Sequence, residues 1–136
     1  MIRSRRRFLS RFSTVAALTG LGSLSALPSS AGDRKNGFIH HVYFWLKAPG
    51  NEQDLAQLVD GLRKLSEIRT IREWHIGKPA GTRRDVIDSS YSVSWMLIFD
   101  DRAAQDAYQT DPIHLEFVKN CSHLWEKVIV YDSEPV

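Results

Sequence analysis

The chain is 136 residues long, 43% hydrophobic and 25% charged, the make-up of one ordinary globular domain and too short for two. Its formal charge of +2 is unevenly spread: the first 31 residues hold Arg3, Arg5, Arg6, Arg7 and Arg11 and no acid, so the rest carries 13 Lys+Arg against 16 Asp+Glu. That mildly acidic remainder argues against a nucleic-acid partner, and the single Cys121 excludes an internal disulfide and a cysteine-rich zinc site.

In chain order, Ser4-Arg5-Arg6-Arg7-Phe8-Leu9-Ser10 resembles the bacterial twin-arginine export motif, departing from it only at Ser10, where lysine is frequent. An uncharged run from Phe12 to Gly32 follows, diluted by Ser, Thr and Gly and broken by Pro28. A membrane-spanning helix needs about 20 predominantly apolar residues, so this run reads as a signal peptide and not as an anchor. Ser29-Ser30-Ala31 supplies the small residues that a signal peptidase reads, and cleavage is expected after Ala31. No cysteine lies near it, which excludes a lipoprotein. The motif implies export of residues beyond 31 to the periplasm or the exterior, with no membrane attachment after cleavage. The folded domain is therefore expected to start near Asp33.

Phe38 to Lys47 is rich in aromatic and β-branched residues and reads as a strand. Alternation puts His40, Val42, Phe44 and Leu46 on one face and His41, Tyr43 and Trp45 on the other. Both faces are largely apolar, so both are expected to be covered. After Pro49-Gly50, Asn51 can cap a helix over 52–67, whose Leu55, Leu58, Val59, Leu62 and Leu65 recur at spacings of three and four. Gly61 inside it weakens the helix or permits close packing. Ile71 to Gly77 reads as a second strand, Lys78 to Ser90 as a long mobile loop, and Tyr91 to Phe99 as a third strand. Asp100-Asp101 can cap a short helix through Tyr108, and Asp111-Pro112 opens another. Trp125 to Asp132 is the fourth strand.

The order β-α-β-β-α-β is the ferredoxin-like α+β arrangement, an antiparallel sheet with helices on one face. Strands with apolar residues on both faces would leave the other sheet face as a large exposed patch. Packing against a second copy resolves this, so a two-fold homodimer is expected, enclosing a hollow that the candidate site residues would line.

Several segments also match a known family. Phe38-Ile39-His40-His41-Val42-Tyr43-Phe44-Trp45-Leu46-Lys47 resembles the opening strand of the Dabb family, the stress-responsive A/B barrels. Ile76-Gly77-Lys78 is similar to its glycine after the second strand. Ala107-Tyr108-Gln109-Thr110-Asp111-Pro112-Ile113-His114 resembles its motif of an aromatic followed by Pro-x-His, and Trp125 to Asp132 its closing strand. The resemblance covers residues 38–132 and implies a dimeric α/β barrel. Many members have no established activity, and some plant relatives act as cofactor-free polyketide cyclases, in which these two histidines and this tyrosine are the implicated positions.

His40 shares a strand face with apolar side chains, where burial would keep imidazole neutral and able to accept a proton; the plainer reading is a core histidine hydrogen-bonded to backbone. His114 falls in the first turn of the helix that Asp111 caps, where the helix dipole disfavours a positive charge and suits it to act as a general base. Its plainer role is to tie the helix start to the sheet. Tyr108 can donate to a carbonyl or enolate oxygen, or simply pack. His75 and His123 stand alone and read as structural or exposed, and His40 and His41 cannot share a metal because adjacent strand residues point to opposite faces. The four tryptophans read as core or interface residues, Cys121 as a buried apolar side chain, and Arg83-Arg84 as a solvated loop tip. No zinc, P-loop or dinucleotide motif is present in the sequence.

These observations imply a barrel for a small, mostly apolar or aromatic ligand, without metal or cofactor. If it is an enzyme, His114 takes a proton, Tyr108 stabilises the oxyanion and His40 orients or assists, in an aldol-type cyclisation or related enolisation. Two alternatives stand beside it. One is a non-enzymatic stress or binding module. The other is a haem- or oxygen-dependent α/β-barrel monooxygenase, which a haem titration without a Soret band would exclude.

Overall fold

The structure, a computed structural model, describes residues 36–136; the expected leader, residues 1–31, lies outside them. Strand β1 (Phe38–Leu46) leads into α1 (Glu52–Leu65), then β2 (Ile71–Gly77), β3 (Val93–Phe99), α2 (Arg102–Thr110), α3 (Pro112–Cys121), a 3₁₀ turn (Ser122–Leu124) and β4 (Trp125–Ser133). The fold is the expected ferredoxin-like α+β arrangement, with the second helical stretch split in two. The split has a local cause. Asp111 ends α2 in an extended conformation and caps α3 by accepting from Ile113 N at 2.8 Å, and Pro112 at the first position of α3 cannot continue a preceding helix. The other starts follow the same rule. Asn51 accepts from Gln53 N at 2.9 Å and Asp54 N at 3.2 Å, and Asp101 accepts from Ala104 N at 2.8 Å.

The sheet is antiparallel throughout, in the order β2-β3-β1-β4. Register sets which side chains share a face. His40 lies opposite Leu97 and Asp132, Val42 opposite Trp95 and Val130, and Phe44 opposite Val93 and Val128. The helices cover this face over β1 and β3, while Val128 and Val130 on the edge strand β4 remain exposed. Leu58, Leu62 and Leu65 of α1 are buried against it, as are Tyr108 of α2 and Phe117 of α3. Each such side chain contributes about 1.5–3 kcal/mol on burial. Helix α1 lies beside α3 at Gly61, where a β-carbon would stand 2.9 Å from both Cys121 Sγ and Phe117 Cδ2. Gly61 therefore serves close packing, at some cost in helix propensity.

The opposite face carries no helix. His41 lies across from Met96 and Tyr131, and Tyr43 across from Ser94 and Ile129. Its aromatic rings pack on one another: His41 stacks on Tyr43 at 4.4 Å, and Tyr43 meets Tyr91 at 4.9 Å and Tyr131 at 6.0 Å edge-on. Trp45 closes one end, donating to Ser90 Oγ at 3.0 Å beneath the Lys127 ammonium, 4.3 Å from the ring centre. Segment 78–92 contains no helix or strand, and its end is tied to β1 through Ser92 N donating to Phe44 O at 2.8 Å. Helix α1 ends at Leu65, short of the expected residue 67, and β3 starts at Val93 instead of Tyr91.

Candidate functional site

The three expected residues come together, but on the face beneath the helices. His40, third in β1, is on the face that α2 and α3 cover; the open, aromatic face that a second copy would cover belongs to its neighbour His41. The expectation that these residues line a hollow between two sheets is thereby corrected. The reason is the two-residue period of the strand: the helices claim the face of Val42, Phe44 and Leu46, and His40 goes with them.

Tyr108 is the centre of the cluster. Its ring lies 5.9 Å from that of His40, edge-on, and 4.7 Å from that of His114. It reaches this place from the last turn of α2, while His114 approaches from the first turn of α3, across the break at Asp111-Pro112. Tyr108 is 1% exposed, and its hydroxyl accepts a hydrogen bond from Trp95 Nε1 at 3.3 Å. Burial pushes the phenol up to about 12, partly offset by the Trp95 bond. It is therefore protonated at neutral pH and has a proton to donate.

His40 is buried, and its Nδ1 lies 2.6 Å from Asp132 Oδ1. A carboxylate oxygen accepts, so Nδ1 carries a proton directed at Asp132, and Nε2 is the ring nitrogen turned away from that pair. Asp132, near the end of β4, is the register partner of His40, so the bond is a direct result of strand pairing. Its own side chain is 46% exposed and adjoins a surface depression of about 340 Å³ lined also by Phe38, Arg102, Gln105 and Glu134. Arg102 donates two hydrogen bonds to Glu134 across this depression, at 3.0 and 2.9 Å.

His114 is held below the ordinary imidazole value, chiefly by burial and further by the nearby His40; the Gln109 backbone and Asp111 oppose this. The direction is the one expected from sequence, and burial is its leading cause. Its Nδ1 is buried without a hydrogen-bond partner, which is uncommon for a buried polar atom. The cluster thus holds a neutral base with an unoccupied ring nitrogen, a protonated phenol and a carboxylate-oriented imidazole. Such a set can move a proton and stabilise an oxyanion.

The larger grooves lie elsewhere. One of about 730 Å³ runs between α1 and α3, and an apolar one of about 530 Å³ lies between α1 and the ends of β2 and β3; neither is lined by His40, Tyr108 or His114. Among the described residues no three His, Cys, Asp or Glu gather as metal ligands, and no helix is long and apolar enough to cross a membrane. His75 and His123 are exposed and Cys121 is buried. Sequence reasoning missed Asp132 and Trp95 as members of the cluster. The strand alternation did put Trp95 on the Val93–Leu97 face, but the partner of each depends on register and helix docking.

An antiparallel sheet in this order, helices on one face and a histidine–tyrosine cluster beneath them define a ferredoxin-like α+β domain. Residues 38–135 match the stress responsive A/B barrel domain, Dabb, and the chain belongs to that family. A Dabb protein of ferredoxin-like fold from Mesorhizobium loti is 28% identical, with 74% of this chain and 98% of that one covered and a TM-score of 0.60. The hydroxynitrile lyase of Passiflora edulis shares the fold at 19% identity, with 75% and 95% covered and a TM-score of 0.64. A dimeric ferredoxin-like protein from Thermobifida fusca does so at 17% identity, with 73% and 91% covered and a TM-score of 0.61. No curated protein matches the sequence.

Proposed function

We propose that this is an exported, homodimeric barrel that binds a small apolar or aromatic molecule and performs cofactor-free acid–base chemistry on it. The observation that carries the reading is the meeting of His40, Tyr108 and His114, with the His114 Nδ1 left free of any partner. In this reading the neutral His114 imidazole takes a proton from carbon next to a carbonyl, and the electron pair moves onto the carbonyl oxygen. The Tyr108 hydroxyl donates to that oxygen, and His40, oriented by Asp132, assists the proton's return. The same parts suit a cyanohydrin, the substrate class implied by the name of the Passiflora relative. There the base takes the hydroxyl proton, the carbon–carbon bond breaks and cyanide leaves.

The homodimer is supported by the uncovered aromatic face around Tyr43 and by the dimeric state described for proteins of the same fold. Export rests on the twin-arginine-like residues 4–10 and the small residues before Ala31, and assigns residues 1–31 to the signal. A non-enzymatic binding module is favoured by one observation: Tyr108 and His40 are closed off, at 1% and 5% exposure.

The test is α-proton exchange of ketones from acetone to acetophenone in D₂O, followed by NMR, beside cyanide release from cyanohydrins. The protein is expected to exceed buffer catalysis on at least one of these, and His114→Ala to lose about 10²–10⁴-fold, the usual range for general acid–base catalysis. Full retention of rate by His114→Ala would remove the mechanism, and no turnover of any probe would leave the binding module.

A further inference from the structure

An apolar groove lies between α1 and the ends of β2 and β3. It is lined by Leu55 and Val59 of α1 and by Ile76, Gly77 and Val93 of β2 and β3. Ile76 is the register partner of Trp95, and Val93 precedes it by two residues on the same face. Trp95 is 1% exposed, braced by Trp74 at 5.8 Å on one side, and its indole N–H reaches the Tyr108 hydroxyl at 3.3 Å on the other. The indole therefore stands beside two residues of the groove wall, Ile76 and Val93, and bonds directly to the candidate acid.

Resting on the acid–base reading of that cluster, we infer that Trp95 is its size-limiting residue. The indole walls Tyr108 off from the groove, so the site accepts aliphatic carbonyl compounds of a few carbons and rejects aryl ketones. Cutting the indole back joins the groove of about 530 Å³ to the Tyr108 hydroxyl. The joined space suits an aryl ketone: an apolar slot takes the ring, as engineered apolar cavities take benzene, and the phenol donates to the carbonyl. In the wild-type protein the Trp95 N–H also occupies one side of the phenolic oxygen, which leaves the phenol's own proton directed elsewhere, available to a substrate.

The experiment is acetophenone binding by isothermal titration and ligand-observed NMR. Trp95→Val is expected to bind at least tenfold more tightly than wild type, and adding Tyr108→Phe in that background to weaken binding several-fold by removing the donor. Two results overturn the inference. One is a folded Trp95→Val no better than wild type. The other is a gain that Tyr108→Phe leaves untouched, since the groove would then have widened without reaching the phenol. The wild-type protein gives a readout that needs no folded valine variant: its Trp95 indole N–H resonance, assigned through Trp95→Phe, should stay in place at high acetophenone. Saturable movement of that resonance would mean that an aryl ketone already enters, and would overturn the inference too. These are binding measurements, so they stand apart from any failure of His114-dependent turnover.

Discussion

Removing Asp132 isolates the contribution of one long-range contact to this fold. In Asp132→Ala the His40 Nδ1–H, buried on β1, loses the acceptor that it meets at 2.6 Å. A hydrogen bond to a charged partner contributes about 1.5–3 kcal/mol. The Asp132 side chain is 46% exposed, so screening and a replacement water lower the expected loss to about 1 kcal/mol. With a urea m-value of about 1–3 kcal/mol/M for a small domain, the midpoint should fall by roughly 0.3–1 M with m unchanged. Asp132→Asn keeps an acceptor oxygen and should lose less than half as much. Urea titration followed by tryptophan fluorescence at neutral pH measures both. An Asp132→Ala midpoint equal to wild type would refute the reasoning, because it would mean that His40 is satisfied without β4.

Three further outcomes are expected. His114 titrates below 6.5 in the folded protein, so the unfolded chain takes up the proton first as pH falls. The stability it contributes is complete above about 6.5 and is lost as pH drops through the folded value. His41, also lowered, chiefly by burial, acts in the same direction. Urea midpoints should therefore decline from pH 7.5 to 5, less steeply in His114→Asn, and an unchanged slope in that variant would count against the assignment. Gly61→Ala should destabilise by about 1 kcal/mol by thermal melt, because overpacking costs about 1–3 kcal/mol and outweighs a helix-propensity gain of about 1; a stabilised variant would mean that α1 and α3 are not held at their observed contact. Tyr43→Glu puts a charge on the open aromatic face and should convert a sedimenting dimer to a monomer, while a dimer of wild-type affinity would exclude that face as the interface.

Much of this architecture was legible in the residues because its causes are local. Asn51, Asp101 and Asp111 cap helices from within three residues of the amides they hold. The leucines of α1 recur with the helical period, and β1 alternates with the strand period, whatever packs on them. The direction of the His114 shift also agrees with its place after Asp111-Pro112, while the burial that leads it depends on tertiary packing.

What the sequence determined alone was the order of elements, their starts and the apolar character of both strand faces, each a consequence of near neighbours and period. Only the tertiary structure decided which face the helices would take, and with it that His40 lies under them while His41 looks out. Only strand register could bring Asp132 to His40 across 92 residues of chain, and only helix docking could set the Tyr108 hydroxyl on the Trp95 indole. Alternation says that a side chain has a face; the partner on that face is fixed by long-range packing, which leaves no periodic trace in the sequence.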